Sequence, residues 1–383
     1  MADVELTILM PCLNEAKTLA TCIGKARRFL DEAGVEGEVL VADNGSTDGS
    51  PTIALQAGAR VVEVAETGYG AALADGSRQA RGRYIIMGDS DDSYDFLALA
   101  PFLEGLRAGN DLVMGNRFLG GIKTGAMSWK NRRIGNPALT DIGRLFFAAP
   151  VGDIYCGLRG FTRTAFDRMD LKSRGMEFAV EMVVKATALR MSVVEVATTL
   201  SPDGRGRPPH LRPWRDGWRT LRFMLLYSPR WLFLYPGTAA ALAGAAVFVR
   251  LLFGSWRLGR VYLDVDTLPY ASAAILIGFQ AVLFWVYAQV FAVTEGLRPD
   301  KDLPPWLQRH FSLERGLAAG AALFVVGFAG GIAALLSWAN HAYGLMNVEK
   351  LLRLVDPSAL AMTLGVQIIL SSFFLSLLLI RRK

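Results

Sequence analysis

The chain has 383 residues, long for one compact domain, so two are expected, and at 52% hydrophobic with 20% charged residues it is apolar for a soluble protein. Its formal net charge of +6 lies mainly in basic residues beside apolar runs, which favours an anionic membrane surface or an anionic substrate over nucleic acid. The three cysteines, Cys12, Cys22 and Cys156, form no C-x-x-C and no paired framework, as in a reduced compartment, and no signal peptide is expected at the N-terminus.

Residues 6–10 are an apolar, β-prone run stopped by Pro11 and read as the first strand. Pro11, Cys12, Leu13, Asn14 and Glu15 follow, with Asn14 placed to cap a helix that runs to about Ala33. A second strand at 39–42 leads into Asp43, Asn44, Gly45, Ser46, Thr47, Asp48, Gly49 and Ser50, and a second helix runs to about Gln56. A third strand at 61–64 precedes Gly68, Tyr69 and Gly70, which open a helix through Gln79. The fourth strand, 84–87, delivers Asp89, Ser90, Asp91, Asp92 and Ser93. Strands alternating with helices predict βαβ units and a mostly parallel sheet, whose ligands bind beyond the carboxyl ends of the strands. All of these polar or glycine-rich segments fall on that edge.

Asp89 and Asp91 alternate across Ser90, so in an extended segment both carboxylates point the same way. Such a pair suits one hard cation that completes its shell with diphosphate or water. The plain alternative is an Asp/Ser-rich turn that ends a strand and caps the next helix. Gly68 and Gly70, with Asp89 some twenty positions on, imitate a dinucleotide fingerprint, but Leu73 stands at the third glycine position. The simpler reading is a tight turn that lets backbone approach a ligand.

A fifth strand at 111–115 ends in Asn116 and Arg117. Residues 120–136 are irregular and carry Lys123, Lys130, Arg132 and Arg133 around Trp129. Arg132 and Asn136, four apart, share a face at the start of a helical run ending near Ala148. Arg117 and Arg132 are candidates to grip a phosphate, since a guanidinium fork matches its oxygens; the alternative is a solvated basic loop. Asp153 and Arg159 flank Gly157 and either pair with one another or reach the site. A helix at 176–188 carries Glu177 and Glu181, and a strand follows at 193–196. The loop 201–213 holds Arg205, Arg207, His210 and Arg212 and reads as a linker or as a cationic lid over a diphosphate.

Residues 214–226 interleave Trp, Leu and Phe with Arg215, Arg219 and Arg222, an amphipathic helix suited to a membrane interface. The runs 231–249, 267–294, 316–340 and 357–380 carry no Asp, Glu, Lys or Arg, and each is long enough to span the ~30 Å hydrocarbon layer. Arg298, Lys301, Arg309 and Arg315, and the terminal Arg381, Arg382 and Lys383, place both of their segments on the cytoplasmic side by the positive-inside rule. With four spans, the N-terminal domain is then cytoplasmic as well. The expected organisation is a domain at 1–213, an interfacial helix at 214–230 and a four-helix transmembrane domain at 231–383.

In this order the motifs resemble a GT-A glycosyltransferase of family 2. They are similar in particular to the dolichol-phosphate mannosyltransferase group and its bacterial polyprenyl-phosphate relatives. The resemblance covers roughly residues 5 to 215 and rests on the Pro11–Glu15 stretch, the Asp43–Gly49 stretch, Gly68 to Gly70, Asp89 to Asp91, Gly115 to Arg117, Trp129 to Asn136 and Asp153 to Arg159. It implies an α/β GT-A catalytic domain followed by membrane helices. Pro11, Asn14 and Glu15 would line the nucleoside pocket, and Asp43 would contact base or ribose. Asp89 and Asp91 would hold Mg²⁺ or Mn²⁺ and the diphosphate. Arg117, Arg132 and Asn136 would bind the lipid phosphate, and Arg205 would meet the leaving diphosphate. Ser93 stands where the family often has Gln, Asn136 where Ser is usual, and residues 204–210 replace its late R-x-x-G-x-S-K pattern. The Q-x-x-R-W signature of processive synthases is absent.

The expected activity is metal-dependent, inverting transfer of one sugar from a nucleotide-sugar of UDP-glucose or GDP-mannose type to polyprenyl or dolichyl phosphate, at the cytoplasmic face. Asp91, Arg117 and Arg132 are the expected catalytic residues. The alternatives are transfer to a hydroxyl-bearing membrane lipid, or a non-catalytic nucleotide-binding partner of a lipid translocator. Sugar, nucleotide and lipid length are not legible, and a homo-oligomer stays open.

Overall fold

The computed structural model describes residues 4–206, 213–294, 312–340 and 347–380, in two compact units, Met1–Met224 and Leu225–Lys383. Among the expected elements, Arg207, His210, Arg212, Arg298, Lys301, Arg309 and the terminal basic cluster lie outside the described residues.

The first unit is built as β1 (Leu6–Cys12), α1 (Leu19–Ala33), β2 (Gly37–Asp43), α2 (Ser50–Gln56), β3 (Arg60–Glu63), α3 (Tyr69–Gln79), β4 (Tyr84–Met87), α4 (Ala100–Arg107), β5 (Leu112–Asn116), α5 (Arg117–Gly120), α6 (Asn136–Phe147), β6 (Arg159–Thr162), α7 (Arg163–Met169), α8 (Phe178–Ala188) and β7 (Val193–Ala197). Its sheet has the order β3-β2-β1-β4-β6-β5-β7 among the described residues. β1, β2, β3 and β4 run parallel, as do β5 and β7, and β6 is antiparallel to both of its neighbours. The expected mostly parallel sheet is therefore present, with one reversed strand that enters from the Asp153–Arg159 turn.

Alternation puts Leu6, Ile8, Met10, Val39, Val41, Tyr84 and Ile86 in one core and Leu9, Leu40, Ala42, Ile85 and Met87 in the other, on opposite faces of the sheet. Both faces are covered by helices, which is why these strands read as near-continuous apolar runs. The sheet order also brings β1, β2 and β4 side by side, so the loops leaving their carboxyl ends are neighbours.

Asn14 is not the cap of α1. It sits at φ 59°, the helix starts at Leu19, and its N-cap position is Thr18. The Asn14 side chain crosses to the next loop instead, as described below.

In the second unit, four helices among the described residues are long and apolar enough to cross a membrane: Arg230–Leu252, Val265–Thr294, Leu313–Asn340 and Val348–Leu378. Their regular portions are α10 (Tyr235–Leu252), α11 (Leu268–Thr294), α12 (Leu313–Asn340) and α13 (Val348–Leu378), while α9 (Pro213–Tyr227) precedes them. α13 begins nine residues before the expected start at Pro357, which lies inside the helix. The extra turns carry Glu349, Lys350, Arg353 and Asp356, charges that a search for uncharged runs excludes. A hairpin of β8 (Trp256–Leu258) and β9 (Val261–Leu263) joins α10 to α11. Glycine permits the close helix contacts: a Cβ at Gly278 would strike the Gly237 carbonyl, and one at Gly365 would lie 2.7 Å from the Gly320 carbonyl.

Candidate functional site

Four loops meet at the carboxyl edge of β1, β2, β3 and β4. Asn14 uses its left-handed backbone to donate its N–H to Ser46 Oγ at 2.8 Å, while its Oδ1 accepts the Thr47 N–H at 2.7 Å. The Glu15 N–H donates to Ser50 Oγ at 3.0 Å, and the Ala16 N–H to Asp48 Oδ2 at 3.0 Å. Burial works to raise the Asp48 pKa, but the Ser50 hydroxyl and the two backbone N–H donors bring it below the ordinary value. The first and second loops are thus laced into one surface. Ser90 ties in the fourth: its Oγ donates to the Pro11 carbonyl at 2.7 Å and its own carbonyl accepts from Thr18 Oγ1 at 2.7 Å.

Asp43 ends β2 and is 5% exposed. Its Oδ2 accepts the N–H groups of Gly45 and Ser46, both at 3.1 Å, while Oδ1 is buried without a partner among the described residues. A buried carboxylate oxygen left open is costly unless something donates to it. It suits an N–H or O–H of a bound nucleoside.

Asp89 and Asp91 lie at the end of β4. Asp89 Oδ1 accepts the Tyr69 hydroxyl at 2.9 Å. Its Oδ2 faces Gly157, where a Cβ would come within 2.6 Å. Asp91 Oδ1 accepts both the N–H (3.0 Å) and the hydroxyl (2.6 Å) of Ser93, and Asp91 Oδ2 pairs with Arg205 Nη2 at 3.0 Å. Burial and the neighbouring Asp91 charge push the Asp89 carboxyl up to about 6. Two carboxylates this close at one strand end, one of them buried beside the other's charge, fit a divalent cation. Among the described residues no cluster of three or more such side chains forms, so a cation here would complete its shell with a bound ligand or water.

Ser93 therefore serves Asp91 as a hydrogen-bond support. Asp92 is turned away at φ 63° and pairs with Lys25 of α1 at 2.7 Å, so it does not take the place of the missing Gln at the cation.

Arg205 reaches the same point from a segment strapped across the loop by Ser201 N–H to the Ser93 carbonyl and Gly204 N–H to the Asp91 carbonyl, both at 2.9 Å. Besides Asp91, its guanidinium meets Glu15 Oε1 at 3.3 Å and Asp203 Oδ2 at 3.0 Å.

Arg117 is 7% exposed and directs Nε and Nη2 onto Asp153 at 2.6 and 2.7 Å, with its backbone N–H on the same carboxylate at 3.1 Å. That edge of the fork is filled by protein, which differs from the expectation of an open phosphate grip. Asp153 pairs with Arg117 and not with Arg159. Arg159 is fully buried and donates to the carbonyls of Cys156 and Ala179, so neither of the two reaches outward. Glu181, on α8, is fully buried and accepts the N–H groups of Lys172 and Ser173, which fixes the loop before it.

The glycine pair is also explained by protein. A Cβ at Gly68, at φ 145°, would collide with the Arg174 carbonyl, and one at Gly70 would meet the Ser173 and Gly175 carbonyls. The turn lets the 173–175 backbone approach, where a ligand was expected. Asn44 secures it, accepting the Gly68 N–H at 2.7 Å.

Arg132 is exposed in a π-helical turn, Asn131–Gly135, beside exposed Trp129. Asn136, the first residue of α6, is half-buried with its Nδ2 toward Met127 Sδ at 3.4 Å. Sequence reasoning missed Tyr69, Lys25, Asp153 as a partner, and Asp203. Only Tyr69 had a local signal, its place between Gly68 and Gly70 at the start of a helix on the ligand edge.

Two family models match the chain: "Glycosyl transferase family 2" over residues 7–170 and "Glycosyltransferase family 2 C-terminal transmembrane region" over 286–379. The low-salt glycan biosynthesis hexosyltransferase Agl6 of Haloferax volcanii is 35% identical over 97% of this chain and 88% of its own. A dolichyl-phosphate hexose transferase of the same organism is 28% identical over 50% of this chain and 81% of its own. Among solved structures, glucosyl-3-phosphoglycerate synthase of Mycobacterium tuberculosis, in complex with Mn²⁺, UDP and glucosyl-3-phosphoglycerate, has a TM-score of 0.46 at 19% identity, covering 58% of this chain and 80% of that one.

Proposed function

The chain belongs to glycosyltransferase family 2, with a GT-A catalytic domain and a membrane-spanning C-terminal region, and from that premise we propose that it transfers a single hexose from a nucleotide-sugar to a polyprenyl-type lipid phosphate. The observation that carries the lipid acceptor is the joining of this catalytic domain to four membrane-length helices in a chain matched over nearly its full length by a hexosyltransferase. The name of the dolichyl-phosphate hexose transferase supports a phosphate as the accepting group.

In this reading Asp43 Oδ1 receives a donor group of the nucleoside, and Pro11, Asn14 and Glu15 form the wall beside it. Asp89 and Asp91 hold Mg²⁺ or Mn²⁺, and the cation offsets charge on the departing diphosphate. Tyr69 and Ser93 fix the two carboxylates, and Gly157 leaves room for Asp89. The acceptor phosphate is already anionic near neutral pH, so it needs positioning and no dedicated general base. Exposed Arg132 supplies the grip, with Asn136 one turn on. Arg117, locked on Asp153, positions the turn after β5 and brings its charge toward Asp89. A single in-line displacement inverts the anomeric centre. α9, with Arg215, Arg219, Arg222 and Trp218 exposed, suits the membrane interface, and the catalytic domain and C-terminus face the cytoplasm.

The test offers the full chain in detergent labelled UDP- and GDP-sugars with undecaprenyl phosphate and Mg²⁺ or Mn²⁺, beside Asp91→Ala. Label entering the lipid phase with metal, and lost in the variant or with chelator, is the expected result. Folded protein that binds metal and nucleotide yet labels no lipid phosphate overturns the acceptor assignment.

A further inference from the structure

The contact between Arg205 and Asp91 carries a consequence for how metal and nucleotide bind. A divalent cation that binds Asp91 Oδ2 meets a resident positive charge, since the Arg205 Nη2 stands 3.0 Å from that oxygen. The guanidinium is not held there by Asp91 alone. Glu15 and Asp203 flank it, and its side chain is only 14% exposed. Three carboxylates around one guanidinium, with Asp89 beside them, leave the cluster short of positive charge. Adding a divalent cation while keeping Arg205 nearby corrects that deficit, but a cation and a guanidinium on the same oxygen repel one another and each weakens the other's hold. Arg205 Nε is buried and has no partner among the described residues. The guanidinium thus retains an unmet donor that a further anion can fill.

We propose that Arg205 and the divalent cation compete for Asp91, and that the diphosphate of the donor resolves the competition by giving the displaced guanidinium a new anion. The inference rests on the nucleotide-sugar reading above and deepens it. Metal alone then binds against a resident cation. Metal with nucleoside diphosphate binds with that cation recruited to the phosphates. The two ligands become mutually dependent through one side chain, a coupling that is reciprocal by thermodynamic necessity. An arginine suits this exchange, because its planar fork stays charged and pairs equally with carboxylate and phosphate.

The experiment measures Mn²⁺ binding to the full chain in detergent, by the electron-spin signal of free Mn²⁺, alone and with saturating UDP or GDP. Wild type is expected to bind Mn²⁺ weakly alone and more tightly with one of the two nucleotides. Arg205→Gln is expected to bind Mn²⁺ alone roughly tenfold more tightly than wild type, the scale of one charge-assisted hydrogen bond no longer broken. Its gain from nucleotide is expected to shrink by a similar factor. Arg205→Lys keeps a competing cation, so Mn²⁺ alone should bind it nearly as weakly as wild type, and thermal melts of both variants establish that they fold. Arg205→Gln binding Mn²⁺ alone no more tightly than wild type, or an undiminished gain from nucleotide, overturns the exchange. Failure of both UDP and GDP to tighten Mn²⁺ on wild type is a separate result, and it overturns the nucleotide reading itself.

Discussion

Replacing Asp153 by Asn tests whether Arg117 belongs to the scaffold or to the substrate. Asp153 is fully buried, and it receives Nε, Nη2 and the backbone N–H of Arg117 at 2.6, 2.7 and 3.1 Å. Asparagine keeps the shape but removes the charge, leaving a buried guanidinium uncompensated. Breaking one side of a buried pair costs about 3–5 kcal/mol. For a unit of this size each kcal/mol moves the melting temperature by about 2–4 °C, so a fall of about 6–20 °C is expected. The three cysteines give a direct assay, because Cys12, Cys22 and Cys156 are all buried in the catalytic unit. A thiol-reactive fluorophore added during a thermal ramp therefore reports its unfolding. Replacing both partners, Arg117→Met with Asp153→Leu, should recover much of the loss, since an apolar pair of similar volume leaves no orphaned charge. A shift below about 2 °C for Asp153→Asn would refute the reasoning, and with it the assignment of Arg117 to positioning.

Gly68→Ala should lower the melting temperature far more than Gly34→Ala, because a Cβ at Gly68 meets the Arg174 carbonyl while Gly34, also at positive φ, has open space around it. The Gly34 change is expected to cost about 1 kcal/mol from the backbone alone. Equal shifts would mean that the 173–175 segment yields freely. Glu38 tests linkage: burial works to raise its pKa, but Arg60, the Arg81 N–H and Thr7 bring it below the ordinary 4.5. A depressed carboxylate adds stability that is present above 4.5 and lost as pH falls through the folded value. Glu38→Gln should therefore melt lower than wild type at pH 7 and lose less stability than wild type on acidification below pH 4.5; parallel curves would refute this.

What the sequence disclosed was whatever is local. The apolar run at Tyr84–Met87 gave β4 with its bounds, and the rule that ligands bind at the carboxyl edge of parallel strands located Asp43, Asp89 and Asp91 together. What it hid was the choice of distant partners. Gly68 is explained by a carbonyl at Arg174 and Arg117 by Asp153, and neither spacing follows from a period of two or 3.6 residues. Asp92 lies in the same acidic stretch as Asp89 and Asp91, and nothing in its spacing shows that a left-handed backbone pairs it with Lys25. The early start of α13 was hidden for the opposite reason: helix and membrane span are different quantities, and the first charged turns belong only to the helix.

The three arginines around the site show how much partner type matters when residue type is the same. Arg159 donates to carbonyls and to Met182 Sδ, none of which carries a compensating charge, and burial lowers its pKa. It is fixed, because no anion can reach it without dismantling the turn. Arg117 is neutralised by one carboxylate through a matched fork, and a new anion on that Nε/Nη2 edge must break two short charge-assisted bonds. Arg205 is divided among Asp91, Glu15 and Asp203 and keeps an unmet Nε donor. Losing one of several partners while gaining a phosphate costs least there. The same chemical group therefore serves as a strut, as a locked counter-ion and as an exchangeable one, and the only one of the three suited to respond to a ligand is the one that shares its charge among several acids.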